Sequence, residues 1–184
     1  MARLQEAMAA AEARAGAQGW RWQGVRQLVV YGLGCIEDSR VSRYQLFDPA
    51  FSATDAALIA ALGCQVIATN EGGARVAEEQ TLFYLPHCEA ALCDSLLAAN
   101  WRAGRLPHLA VLGNSFDLYR ERWAAAGAKP GGARPGRLLR LVEAGAVAEL
   151  PVPDCGFHVT SAFNDSSLHL LLADACGDAL GPCD

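Results

Sequence analysis

Three short apolar runs constrain the fold of this chain more than any other feature: Gln27-Leu-Val-Val-Tyr31, Thr81-Leu-Phe-Tyr-Leu85 and Leu109-Ala-Val-Leu112. Each is closed at once by a glycine or a proline. A run this short, apolar without alternation, is the pattern of a strand buried on both faces. Strands of that kind need helices above and below them, so the sheet must be largely parallel and sandwiched between helical layers.

The intervening segments can supply those helices. Thr54–Leu62 caps itself with Ser52 or Thr54, places Leu58, Ile59 and Leu62 on one face and ends at Gly63. Cys64–Thr69 reads as a strand, Asn70–Gly73 as a glycine loop and Ala90–Asn100 as a helix. The strand at Leu109 is expected to stop before Gly113-Asn114-Ser115. Gly127–Gly136 has too many glycines and prolines for either element and reads as a surface loop. Arg137–Ala144 is expected to be helical and Gly145–Leu150 extended. Phe157–Phe163 reads as a closing strand before Asn164-Asp-Ser-Ser-Leu-His169. The expected architecture is α/β: a Rossmann-like three-layer α/β/α fold with a mostly parallel sheet and a shortened first crossover.

At 184 residues and 52% hydrophobic, the chain has material for one domain. Its expected parts are an N-terminal helical segment over 1–26, rich in Ala, Glu and Arg, a domain over 27–172, and a tail from Ala173 to 184 that frays. The net charge of -5 comes from scattered residues and offers no basic face for nucleic acid. Arg3, Glu6, Glu12 and Arg14 interrupt any apolar leader or membrane span at the start, which leads to the expectation of a cytosolic or nuclear protein without a membrane partner. Seven cysteines without a CxxC pair fit reduced thiols.

In an open parallel sheet, ligands bind beyond the carboxyl ends of the strands. The polar residues that follow the runs are therefore the candidate ligand-binding set: Gly32, Gly34, Asp48, Asn70, Glu71, His87, Asn114 and Ser115, with Asn164 and Asp165 added from the C-terminal motif. Gly32-Leu-Gly34 followed by Asp48 resembles the start of a dinucleotide fingerprint, but Glu37 stands where the third glycine belongs. Two tight turns explain the same residues without a ligand. Glu71 reads most simply as a solvated acid. His87-Cys88 has the composition of a thiolate and a base, yet neighbours on an extended chain point in opposite directions, which favours structural roles. A metal would have to draw on His87, Cys88, Cys93, His158 and His169, which lack the short paired spacings of closed zinc sites. Asn164-Asp-Ser-Ser167 can cap a final helix or return polar groups to the strand-end rim, and the two are not exclusive. No catalytic residue, metal ligand or cofactor is identified by these patterns.

Several motifs occur together and in order: Tyr31-Gly-Leu-Gly34, Ser42-Arg-Tyr-Gln-Leu46, Phe47-Asp-Pro-Ala-Phe51, Asn70-Glu-Gly72, Thr81-Leu-Phe-Tyr-Leu-Pro-His-Cys88, Asn100-Trp101, Gly113-Asn-Ser-Phe116 and Phe163-Asn-Asp-Ser-Ser-Leu-His169. This series resembles the SRR-like (sensitivity to red light reduced) family from about Val29 to His169. The resemblance implies a regulatory protein of cytoplasm and nucleus, linked to circadian rhythm and, in animals, to control of haem biosynthesis. It carries over no catalytic residue.

The chain departs from that pattern between Leu46 and Phe47, where the family has a further leucine-rich helix and a strand. A crossover between parallel strands needs roughly ten to twelve residues including its helix, so Cys35–Leu46 must supply both helix and strand. Loss of covering elements predicts exposed apolar surface and a tendency to aggregate. Two functions follow as expectations: a non-catalytic regulator that binds a protein partner, or an enzyme of methyltransferase type that binds a nucleotide-like ligand or S-adenosylmethionine at the rim.

Overall fold

The structure, a computed structural model, describes residues 9–10, 12–13, 20–31, 43–125, 134–152 and 163–180. Residues 9, 10, 12 and 13 are helical, and the remainder of the expected first helix lies outside the described residues. So do Gly32, Gly34 and most of the Gly127–Gly136 loop.

The strands are β1 (Gln27–Tyr31), β2 (Arg43–Phe47), β3 (Gln65–Val66), β4 (Thr81–Leu85), β5 (Leu109–Asn114), β6 (Val147–Pro151) and β7 (Ser166–Leu171). The α-helices are α1 (Ala53–Ala61), α2 (Ala90–Ala99), α3 (Phe116–Ala125), α4 (Gly136–Glu143) and α5 (Ala173–Ala179). They build one seven-stranded sheet in the order β3-β2-β1-β4-β5-β7-β6. The first five strands pair in parallel, and β7 is antiparallel to both β5 and β6. The α/β class and the mostly parallel sheet are as the apolar runs predict.

Three clusters of buried residues show why both faces must be covered. Val29, Phe83, Leu109 and Val111 pack against α2, α3, α4 and α5 through Leu96, Phe116, Leu138 and Cys176. On the opposite face, Ala110, Ala148, Leu168 and Leu170 meet Trp20 and Val25. Val30 and Leu46, also on that side of the pleat, meet Ile59 of α1. Helices thus lie on both sides of the sheet, in three layers.

Local chemistry accounts for several boundaries. Ser52 caps α1 in a reciprocal box: its hydroxyl accepts the Asp55 N–H at 3.2 Å, and Asp55 accepts the Ser52 N–H at 2.8 Å. Asp94 of α2 accepts the N–H groups of Arg137 and Leu138 at 2.7 and 2.9 Å, which caps α4 across the core. Buried Asn100 ties the segment before β4 to α2: it accepts from Ala77 N–H and donates to the carbonyls of Arg75 and Leu96.

Other expectations are corrected. Of the predicted α1 face, only Ile59 is buried; Leu58 and Leu62 are 59% and 62% exposed. The expected strand Cys64–Thr69 shortens to Gln65–Val66, because as the outermost strand it pairs only with β2. Conversely, β5 runs on to Asn114, since Gly113 and Asn114 pair with Ser167 and Ser166 of β7. Residues 157–162 of the expected closing strand lie outside the described residues and Phe163 is in a turn. The closing strand is Ser166–Leu171, buried at every position, so Asn164–Ser167 does not cap a helix. The tail expected to fray forms α5 over Ala173–Ala179, with Cys176 and Ala179 buried in the main core. Finally, β2 runs unbroken through the Leu46–Phe47 junction, paired along its length with β1; the 32–42 segment that links the two strands is outside the described residues.

Candidate functional site

The sheet reverses its direction of growth between β1 and β4, which makes their carboxyl ends the topological switch point. Asp48, His87 and Asn114 stand at or just beyond the ends of β2, β4 and β5 on that rim. Because β7 is antiparallel and its Ser166 pairs with Asn114, the Asn164-Asp165 turn reaches the same rim. The Ser115 N–H donates to the Asp165 carbonyl at 2.7 Å.

Much of this polar set holds the rim together. Asn114 accepts the His87 N–H at 3.2 Å and donates to the Cys88 carbonyl at 3.1 Å. The Tyr119 hydroxyl, 3.0 Å from the Asn114 amide nitrogen, donates to the same carbonyl. These bonds fix a turn in which His87 adopts a φ of 53°, a left-handed conformation that few residues other than glycine take. His87 is exposed, and it is its backbone N–H that Asn114 holds. Burial, then the charge of Asp48, pushes the Cys88 thiol upward, away from the thiolate form.

Asp48 accepts the Ala50 N–H at 2.8 Å, and Asn70 the Gly72 N–H at 2.9 Å; both are side-chain turns. Glu71 is not a solvated acid: it takes two bonds, of 2.8 and 2.7 Å, from Arg75, whose guanidinium also reaches Gln45. Beside this loop, a hollow of about 480 Å³ lies between Gly72, His87, Cys88 and the first turn of α2.

A second cleft, of about 440 Å³, opens among the start of α3, the end of β6 and the turn before β7. It gathers Ser115, Asn164 and Asp165 from the predicted set and adds Glu149 and Asp117. Glu149, His169 and Val111 are cross-strand neighbours on β6, β7 and β5, on the face that α3 covers. The His169 ring stacks on Phe116, with centroids 3.8 Å apart. Its Nδ1 is 3.0 Å from the Val111 carbonyl, which can only accept, so Nδ1 carries a proton. Nε2 accepts the Phe116 N–H at 3.3 Å and lies 3.6 Å from Glu149 Oε2.

Glu149 also accepts the Asp117 N–H at 3.0 Å, and Ser115 Oγ accepts the Leu118 N–H at 3.1 Å. The positive end of α3 is therefore occupied by the protein's own groups. Burial raises the Glu149 carboxyl, but the adjacent His169 ring, the Ser115 hydroxyl and the Asp117 N–H outweigh it and hold the group down at about 2. Glu149 was missed among the sequence candidates; its one signal is a lone acid in the otherwise apolar Ala146–Leu150 run. The sequence offers His169 only as a metal ligand or as a residue of a final helix. The described residues assemble no group of three His, Cys, Asp or Glu side chains able to hold a metal ion, and none of their helices is long and apolar enough to cross a membrane.

The frame is thus a Rossmann-like α/β sheet with a polar carboxyl rim. The SRR1 domain matches residues 46–170, and the chain belongs to that family. It is 42% identical over 115 residues to the Arabidopsis thaliana protein SENSITIVITY TO RED LIGHT REDUCED 1, covering 52% of this chain and 42% of the relative. An SRR1-like protein of Mus musculus is 36% identical over 117 residues, covering 53% and 47%, and one of Drosophila melanogaster 28% over 137 residues, covering 74% and 46%. The chain spans less than half the length of each of these relatives. No solved structure matches.

Proposed function

We propose that this chain is a non-catalytic regulatory protein of cytoplasm and nucleus, acting in circadian timing and in control of haem biosynthesis by binding a protein partner. Family membership and the Arabidopsis relative's name, which ties that protein to red-light sensitivity, support the reading. The structural observation behind it is how the strand-end polar groups are used: Asn114 and Tyr119 clamp the His87-Cys88 turn, and Glu149 fills the end of α3. The test is expression of the chain in an Arabidopsis line lacking the relative, with red-light response, rhythm period and haem content as readouts. Restoration of these responses is expected. Turnover of a small molecule that depends on Asp48, Glu71 or Asn114 overturns the proposal.

One observation favours a nucleotide or S-adenosylmethionine ligand instead. α2 begins beside the switch point with Glu89 at its N-cap and no side-chain cap bond, which leaves its positive end facing the rim. A thermal-shift screen against nucleotides, S-adenosylmethionine and haem separates the readings. A shift lost on Asp48→Ala supports the ligand, and a folded chain without any shift supports the partner.

A further inference from the structure

We propose that the N-terminal helical segment, residues 2–15, docks on the second face of the sheet as an intramolecular cover. The central strands are buried unequally on their two sides. Toward α2, α3, α4 and α5, Val29, Phe83, Leu85, Leu109 and Val111 are at most 1% exposed. The apolar residues of the opposite face, Leu28, Leu82, Tyr84, Leu112 and Leu150, are only half-buried. Register makes these five a continuous band: Leu28 pairs with Leu82 and Tyr84 with Leu112, and Leu168 stands between Leu112 and Leu150. Among the described residues, α1 covers Val30 and Leu46 on one side of the band, and Trp20 and Val25 cover Ala110, Ala148, Leu168 and Leu170 on the other. A largely parallel sheet needs cover on both faces, and here the middle of one face is left thin.

The chain itself supplies the occupant. It reaches this face at Trp20, which is only 4% exposed against it. Glu12, in the helical segment, stands 3.8 Å from Arg21, so the helix is a neighbour of the same face. That pair is partly exposed and screened, and it positions the helix more than it holds it.

The described helical residues set which side of the helix turns inward. Ala9, Ala10 and Ala13 are exposed and Glu12 is half-buried. At about 100° per residue, the side opposite Ala9, Ala10 and Ala13 carries Leu4, Met8, Ala11 and Ala15, an apolar stripe at amphipathic spacing. A helix below about 15 residues is marginal in water by itself, so the helical state at residues 9, 10, 12 and 13 calls for a packing surface. The dimensions agree: a helix over 2–15 is about 21 Å long, against about 19 Å across the strands from β1 to β6 at their usual spacing. This docking does not depend on the regulatory reading.

Photo-methionine incorporated in place of methionine in the full chain tests the contact, since Met1 and Met8 are its only methionines. Irradiation of the dilute protein is expected to link Met8, within one chain, to peptides that hold Leu82, Tyr84, Leu112 or Leu150. The double variant Leu4→Gln/Met8→Gln is expected to speed amide exchange across residues 2–15 by about tenfold or more, the factor that one newly exposed large apolar side chain commands. It should also raise binding of an apolar dye. Ala9→Gln/Ala13→Gln, on the exposed side and more demanding of helix propensity, leaves both readouts near those of the parent. Links confined to the face under α2–α5, links only between two chains as a docked second copy gives, absence of any link from Met8, or equal exchange in the two double variants overturns the proposal.

Discussion

The Glu149 carboxylate accepts the Asp117 backbone N–H at 3.0 Å, so a side chain from β6 sits at the positive end of α3. Two elements far apart in the sequence are joined by a charge–dipole contact and a hydrogen bond. Glu149→Ala is expected to cost about 1.5–3 kcal/mol, the range for a hydrogen bond to a charged group, measured by urea unfolding. The same contact predicts a pH dependence. The folded carboxyl is held at about 2, against an ordinary value of 4.5, so its contribution is complete above about pH 4.5 and is lost as pH falls toward 2. The stability difference between the parent and Glu149→Gln should shrink across that window, and a constant difference would contradict the assignment.

Asn114 and Tyr119 share one acceptor, the Cys88 carbonyl. Their contributions cannot be independent. A double-mutant cycle with Asn114→Ala and Tyr119→Phe should return a coupling of about 0.5–3 kcal/mol. Additive effects would mean that the two side chains hold the His87-Cys88 turn separately.

Gly72 and Gly73 both have positive φ, at 55° and 80°, but different surroundings. A methyl group at Gly72 meets open space, whereas at Gly73 it falls 2.7 Å from the Leu92 carbonyl of α2. Gly72→Ala should therefore cost about 1–2 kcal/mol of conformational strain alone. Gly73→Ala adds a clash worth roughly 1–3 kcal/mol more. Equal thermal shifts for the two variants would refute this packing.

Ile59 and Leu58 lie on α1 and Leu62 is its C-cap, and the buried and exposed residues should behave oppositely. Ile59→Ala removes a side chain buried against Val30 and Leu46, at about 2–5 kcal/mol. Leu58→Glu and Leu62→Lys alter exposed positions and should change stability by no more than about 0.5 kcal/mol. Because these leucines form an exposed apolar pair, the substitutions should also lower aggregation, read by light scattering.

The strands at Gln27–Tyr31 and Thr81–Leu85 were legible to the residue, because a doubly buried strand writes itself as an unbroken apolar run. The cap of α1 was legible only as Ser52 or Thr54; the structure selects Ser52, whose partner Asp55 is three residues away. Ser166–Leu171 was harder to place. The Asn164-Asp165-Ser166-Ser167 head has the composition of a helix cap, and only its seat between β5 and β6 makes it a turn and a strand.

The rim shows the same division. Asn114, Ser115, Asn164 and Asp165 were identifiable as candidates because they follow or precede apolar runs. Their partners were not, since His87 is 27 residues from Asn114, and Asp117 is 32 from Glu149.

The sequence by itself determined the α/β class, the mostly parallel sheet and the family, all of which depend on residue types within one run or on motifs in order. The tertiary structure alone decided that β7 enters antiparallel beside β5, that Glu149 meets α3 over His169, and that a carboxylate-lined cleft opens there. The physical reason is range: propensity and capping act over a few residues, whereas a buried charge finds its partner only after the sheet has brought distant strands side by side.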